Sequence, residues 1–187
     1  MQASKFIYEK TGEKINMEKL TLIVPCYNEE EVLPFFYEEF QKVAEQLETY
    51  RTEVIFVDDG SRDGTLETIK KLAKGDERVK YISFSRNFGK EAAIYAGFQH
   101  ADGDYIAMLD ADLQDPPSLL PEMMRGIVEE GYDSVATRRV SRKGEPPVRS
   151  FFARCFYRLM KKISTAEIMD GARDFRLMTR QFKDAIL

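Results

Sequence analysis

Tryptophan is absent from this 187-residue chain, histidine occurs once and cysteine only twice. A single histidine, His100, leaves no material for a His-rich metal site and little for a His-dependent catalytic triad. It lies in a helix-like stretch beside Gln99 and reads as structural. Two cysteines, Cys26 and Cys155, supply neither a disulfide framework nor a zinc site, so a reducing, cytoplasmic setting is expected. No apolar run approaches the roughly 18 residues of a membrane span, and the N-terminus lacks an apolar signal core. Neither a Gly-x-Gly-x-x-Gly nor a P-loop pattern occurs, which disfavours glycine-cradled dinucleotide and triphosphate sites. A nucleotide bound here would be held by carboxylates and a metal.

What is present suits one globular domain with room for a sizeable core. Residues 1–18 are polar and irregular and read as a tail, leaving 19–187 as the domain. The net charge of −4 is unevenly spread. Residues 138–162 carry nine Lys or Arg (Arg138, Arg139, Arg142, Lys143, Arg149, Arg154, Arg158, Lys161 and Lys162) against Glu145 alone. That segment is therefore +8 and the remainder −12, an asymmetry that suggests an anionic partner for one face. No nucleic-acid reader motif accompanies the basic segment, so a nucleic-acid partner is not expected.

Apolar runs and helical periodicities alternate along the chain. Strands are expected at Leu20–Val24, Val54–Val57, Val79–Phe84, a run from Tyr105 ending at Asp110, and Ser134–Thr137. Between them, helices are expected over about Glu30–Leu47, from Asp63-Gly64-Thr65 through Leu72, over Lys90–Gln99 and over Ser118–Glu130, with a last one over Arg180–Leu187. Strands alternating with helices imply an α/β fold with a parallel sheet covered on both faces. Ligands of such sheets bind beyond the carboxyl ends of the strands. The unusual polar residues fall at those ends: Tyr27, Asn28 and Glu29; Asp58, Asp59 and Ser61; Ser85, Arg86 and Asn87; Asp110, Asp112 and Gln114. Helix capping explains any one set, whereas a shared crevice explains all four.

Asp110-Ala111-Asp112 is the sharpest of these. Period-2 geometry would put both carboxylates on one side of a strand end, where they repel unless a cation lies between or beside them. A divalent ion carrying a diphosphate suits such hard oxygen ligands. An acidic turn at a strand end would give the same three letters.

Three ordered motifs carry a resemblance: Val24-Pro25-Cys26-Tyr27-Asn28-Glu29-Glu30, Val57-Asp58-Asp59-Gly60-Ser61-x-Asp63-Gly64-Thr65, and Asp110-Ala111-Asp112-Leu113-Gln114-Asp115-Pro116-Pro117. Together they resemble family 2 glycosyltransferases of the GT-A fold, a mostly parallel sheet flanked by helices. Ser85-Arg86-Asn87-Phe88-Gly89-Lys90 and Asp174-Phe175-Arg176-Leu177-Met178 narrow the likeness to the polyprenyl-phosphate glycosyltransferases, which include bactoprenol glucosyltransferases and dolichol-phosphate mannose synthase. It covers roughly residues 19–187.

The resemblance implies a nucleotide pocket lined by Pro25, Tyr27, Glu29, Asp58, Asp59, Lys90, Asp110 and Ala111. Asp112 and Gln114 would hold Mg2+ or Mn2+, with Asp112 also counted among the catalytic residues. Asp174 takes the general-base position of an inverting displacement, with Arg176 beside it. A phosphate monoester has a second pKa near about 6, so the acceptor is already largely anionic at neutral pH and Asp174 would orient more than deprotonate it. Arg173, Arg176 and Arg138 would grip the acceptor phosphate, as a planar guanidinium can.

Apolar Phe151, Phe152, Cys155, Phe156, Leu159, Met160 and Ile163 recur at helical spacing among basic residues. Within the basic stretch 140–165, such a helix suits an anionic membrane surface, and it equally suits docking on the domain. Many bacterial members of the family it resembles continue into two C-terminal transmembrane helices, and the chain stops at Leu187. A piece of a longer protein, or a short form attached peripherally at the cytoplasmic face of the plasma membrane, is expected.

The function implied is inverting transfer of a hexose from a nucleotide diphosphate sugar, UDP-glucose first, to a polyprenyl phosphate. UDP-N-acetylglucosamine, GDP-mannose and a non-lipid glycan acceptor stay open, as do a catalytically silent nucleotide-sugar-binding scaffold and a homo-oligomer. Processive synthases of this fold carry a Gln-x-x-Arg-Trp motif, which a chain without tryptophan cannot supply.

Overall fold

The computed structural model describes residues 17–138 and 172–187. The apolar runs around Ile23 and Ile55 form adjacent parallel strands, β1 (Lys19–Cys26) and β2 (Arg51–Asp58), with Ile23 opposite Ile55. β3 (Val79–Ser83) extends the sheet beyond β2, and β4 (Tyr105–Met108) pairs with the other side of β1, all in parallel. Helices α1 (Leu33–Gln46), α2 (Thr65–Gly75) and α3 (Lys90–His100) make the crossovers. A 3₁₀ turn (Pro117–Leu119) leads into α4 (Leu120–Val128), which precedes β5 (Ser134–Arg138). The chain returns in β6 (Ala172–Thr179) and ends in α5 (Arg180–Ile186).

Among the described residues, five strands and five α-helices therefore lie where the sequence pattern puts them, while the sheet is not wholly parallel. β6, which the periodicity does not reveal, inserts antiparallel between β4 and β5, giving the order β3-β2-β1-β4-β6-β5. Arg138 at the end of β5 pairs with Ala172 at the start of β6. Antiparallel entry brings the first residues of β6 to the same sheet edge as the carboxyl ends of β1–β4.

Alternation along the strands divides the core in two. Leu22, Val24, Phe56, Ala107, Phe175 and Leu177 face α1, α2 and α4, where Phe36 meets Phe56 edge-on at 5.8 Å between ring centroids. Ile23, Ile55, Val57, Ile106 and Met178 face α3 and α5. Each fully buried large side chain contributes about 1.5–3 kcal/mol, and Phe36, Phe40, Phe56 and Phe175 are all in this class. α3 lies close against β1 through Gly97, where a Cβ would fall 2.2 Å from Ile23 Cγ2. At the opposite edge of the sheet, Arg180 donates to the Gly103 carbonyl at 2.9 Å and Asp104 accepts from the Lys19 amide at 2.8 Å.

Two boundaries shift for stated reasons. α1 starts at Leu33, not near Glu30, because Pro34 is accommodated only in a first turn and the Glu29 carbonyl already accepts from the Val32 and Leu33 amides. β4 ends at Met108, so Asp110 and Asp112 stand on the loop that follows and strand alternation does not govern them. The basic stretch 140–165 and the tail through residue 16 lie outside the described residues, of which no helix is long and apolar enough to cross a membrane.

Candidate active site

Four strand-end loops meet at the carboxyl edge and are tied by short polar side chains. After β1, Asn28 takes a left-handed backbone (φ 57°), a conformation Asn tolerates better than most residues. Its amide donates to Ser61 Oγ at 3.0 Å, and its Oδ1 accepts from the Arg62 amide at 2.9 Å. Next to it the Glu29 amide donates to Thr65 Oγ1 at 2.8 Å, and Glu30 Oε2 accepts from the Gly64 amide at 2.8 Å. Asp63 accepts from the Thr65 and Glu30 amides. Burial pushes its carboxyl up, but the hydrogen bonds from Thr65 and Glu30 outweigh that and leave it below its ordinary value. The loops after β1 and β2 are thus one unit.

Asp58 and Asp59 are 1% and 3% exposed, and buried carboxylates must find donors. Asp58 Oδ1 accepts from the Ser61 amide at 3.0 Å, and Oδ2 from Ser83 Oγ at 3.1 Å, its cross-strand partner on β3. Asp59 reaches the loop before α3, where its two oxygens accept from the Phe88 amide at 2.7 Å and the Gly89 amide at 2.9 Å. A carboxylate at this helix N-terminus also meets the favourable end of the helix dipole. Gly60 lets the turn close: its φ is +68°, and a Cβ there would meet the Arg86 carbonyl carbon.

Lys90, the first residue of α3, spans the crevice. Its Nζ lies 2.7 Å from Asp110 Oδ1, 2.8 Å from Asp110 Oδ2 and 2.6 Å from Asp174 Oδ2. Burial pushes the ammonium down, yet the bonds to Asp110 and Asp174 outweigh it and raise its pKa. Asp112 is exposed, and its Oδ1 accepts from the Gln114 amide at 3.0 Å across a turn in which Leu113 has φ 57°. On β6, Arg173 pairs with Asp115 at 3.0 Å, and Arg176 lies opposite Met108 of β4 and Ala136 of β5.

Carboxylates accumulate here beyond what Lys90 balances. Glu29 is pushed up by burial first, then by Asp112, Asp110 and Asp63. Burial, then Glu29, Asp58 and Asp110, push the buried Cys26 thiol well up. Such a site disfavours further negative charge unless a cation enters with it. No group of three or more His, Cys, Asp or Glu among the described residues is placed to hold a metal by itself.

Every site residue singled out in the sequence lies at this carboxyl edge. Pro25 is the penultimate residue of β1 and exposed Tyr27 and Glu29 follow that strand, Asp58 ends β2 and Asp59 follows it, and Lys90 opens α3. Asp110, Ala111, Asp112 and Gln114 follow β4, Arg138 ends β5, and Arg173, Asp174 and Arg176 begin β6. Sequence reasoning missed Ser83 and Asp115 as partners of Asp58 and Arg173; Ser83 is betrayed only by its register opposite Asp58. His100 is structural, its Nδ1 lying 2.8 Å from the Ala96 carbonyl.

Known proteins are similar to this chain. The family model described as Glycosyl transferase family 2 matches residues 21–186. CsbB of Bacillus subtilis (strain 168), which carries the name of a glycosyltransferase, is 46% identical over 90% of this chain and 50% of its own length. The bactoprenol glucosyl transferase of Shigella phage SfV is 41% identical over 90% of this chain and 54% of its own. The chain thus spans about half the length of the curated relatives it matches. Among solved structures, the Pyrobaculum calidifontis mannosyltransferase PcManGT, in complex with GDP-Man and Mn2+, superposes with a TM-score of 0.63 at 20% identity, covering 90% of this chain and 46% of that one. The Rubrobacter xylanophilus mannosyl-3-phosphoglycerate synthase gives 0.66 at 19% identity, covering 88% and 54%. The architecture is the GT-A fold expected from the motifs. Matched over nearly its whole described length, the chain belongs to glycosyl transferase family 2.

Proposed function

We propose that this chain is the catalytic domain of an inverting glycosyltransferase that moves glucose from UDP-glucose to a polyprenyl phosphate at the cytoplasmic face of the membrane. The observation that carries the reading is the Asp110–Lys90–Asp174 bridge, which joins a donor-side carboxylate to the acceptor-side strand through one ammonium. Similarity to bactoprenol glucosyl transferases over 90% of the chain supports the lipid acceptor and the glucose.

Tyr27 supplies an apolar wall for the base and, with Pro25 and the Glu29 carboxylate, lines the nucleoside pocket, while buried Asp58 and Ala111 set the turns around it. Asp59 acts one step back by fixing the loop that delivers Lys90. Asp112 and Gln114 offer hard oxygen donors suited to Mg2+ or Mn2+. Together with oxygens of the diphosphate and water, these two side chains would hold the ion, since Mg2+ is usually bound by one or two carboxylates plus substrate phosphates. When bound, the cation supplies Lewis-acid stabilisation of charge on the leaving diphosphate. An acceptor phosphate oxygen attacks the anomeric carbon opposite the diphosphate; the new carbon–oxygen bond forms as the sugar–diphosphate bond breaks. Arg138, Arg173 and Arg176 hold the acceptor phosphate and Asp174 orients it, needing to take no proton from an oxygen that is already anionic.

Calorimetry with UDP, GDP and their sugars, with and without Mn2+, tests this reading. UDP binding that requires Mn2+ and disappears in Asp112→Ala is expected. Preference for GDP would move the donor to GDP-mannose, and absence of any nucleotide binding would overturn the reading.

A further inference from the structure

The Lys90 ammonium lies 2.6–2.8 Å from three carboxylate oxygens on two different strand ends, Asp110 after β4 and Asp174 on β6. A single charge on two carboxylates is the arrangement a divalent cation would otherwise complete. Lys90 is held there from both sides. Its backbone is fixed at the start of α3 by the Asp59 bonds to the two preceding amides, and its side chain ends on the carboxylates. The three side chains are 38%, 38% and 63% exposed, so ions from solvent can reach this position and compete for it.

We infer that Lys90 is a resident counter-cation that keeps divalent metal out of the crevice until a diphosphate arrives, so that the metal enters with the nucleotide and not before it. The lysine offsets one of the two negative charges of Asp110 and Asp174 in the nucleotide-free protein and occupies the position between them, which leaves Asp112 and Gln114 too few free oxygen partners to retain a metal. A diphosphate brings oxygen ligands for the ion and an anionic group to which Lys90 can transfer. The inference rests on the proposed function only for that last transfer; exclusion of metal from the nucleotide-free protein follows from the ion pairs themselves.

The test is Mn2+ binding to the nucleotide-free protein, read by the electron paramagnetic resonance signal of free Mn2+, for wild type, Lys90→Gln, Lys90→Met and Lys90→Arg. Circular dichroism and thermal melts report folding. Lys90→Gln and Lys90→Met are expected to bind Mn2+ at least tenfold more tightly than wild type, while Lys90→Arg, which keeps the charge, stays near wild type. Two neutral variants guard against one failing to fold, and Asp110→Asn in the Lys90→Gln background should abolish the gain. Equal Mn2+ affinity in wild type and a folded neutral variant would overturn the inference, as would tight Mn2+ binding by wild type without nucleotide. Adding UDP to wild type separates the two readings. Gain of Mn2+ binding in the variants with no nucleotide binding in wild type would sink the transferase and leave the counter-cation standing.

Discussion

Gly60 and Arg86 meet backbone to backbone: a Cβ added to Gly60 would lie 2.3 Å from the Arg86 carbonyl carbon. The contact joins the turn after β2 to the loop that precedes Lys90, and no flexible side chain lies between them to give way. Gly60→Ala also demands a left-handed alanine at φ +68°. Backbone strain of this kind costs about 1–3 kcal/mol, and the clash adds to it. Urea denaturation should show a lowered midpoint with an unchanged slope; a midpoint equal to wild type would refute the contact.

Asp59→Asn tests the same junction from the other side. The variant keeps one acceptor oxygen and turns an NH2 group toward an amide that also donates. One of the Phe88 and Gly89 amides is left unpaired, at a cost of about 1–3 kcal/mol. Hydrogen exchange should accelerate at those two amides, and nucleotide affinity should fall because Lys90 follows them directly. Unchanged exchange there would show that the loop holds without the carboxylate.

Glu29→Gln addresses the crowding of negative charge. Its folded pKa is raised by burial and by Asp112, Asp110 and Asp63, so the ionised form is disfavoured in the fold and costs stability above that pKa. The cost fades as pH falls and the group protonates. Glu29→Gln should therefore be more stable than wild type at neutral pH without nucleotide, with the advantage vanishing in acid. Nucleotide affinity should drop at the same time, a trade of function against stability. A stability difference independent of pH would refute the electrostatic cause.

Much of this was legible in the sequence because its signals are local. Continuous apolar runs such as Leu20–Val24 and Val54–Val57 mark strands buried on both faces, and the polar clusters after them mark the edge where a ligand sits. β6 was not legible as a strand. Ala172–Thr179 breaks the apolar–polar alternation, with Arg173 and Asp174 side by side and then Leu177 and Met178, and becomes a strand by pairing with β4 and β5. Its antiparallel insertion is a fact about partners distant in the chain, which periodicity does not encode. The same holds for Asp59: the letters Asp-Asp-Gly promise a pocket, but only the folded loops reveal that this carboxylate is spent on two amides.

The pairing of Arg138 with Ala172 has an evolutionary consequence. Where β5 stops and β6 begins, the two ends are already neighbours on the rim of the crevice. Because the ends already meet, the length of the chain joining them can vary at small entropic cost without re-registering the sheet. The fold thus offers a socket at the rim of the crevice, where the connecting chain can change while the β1–β4 half of the sheet stays as it is.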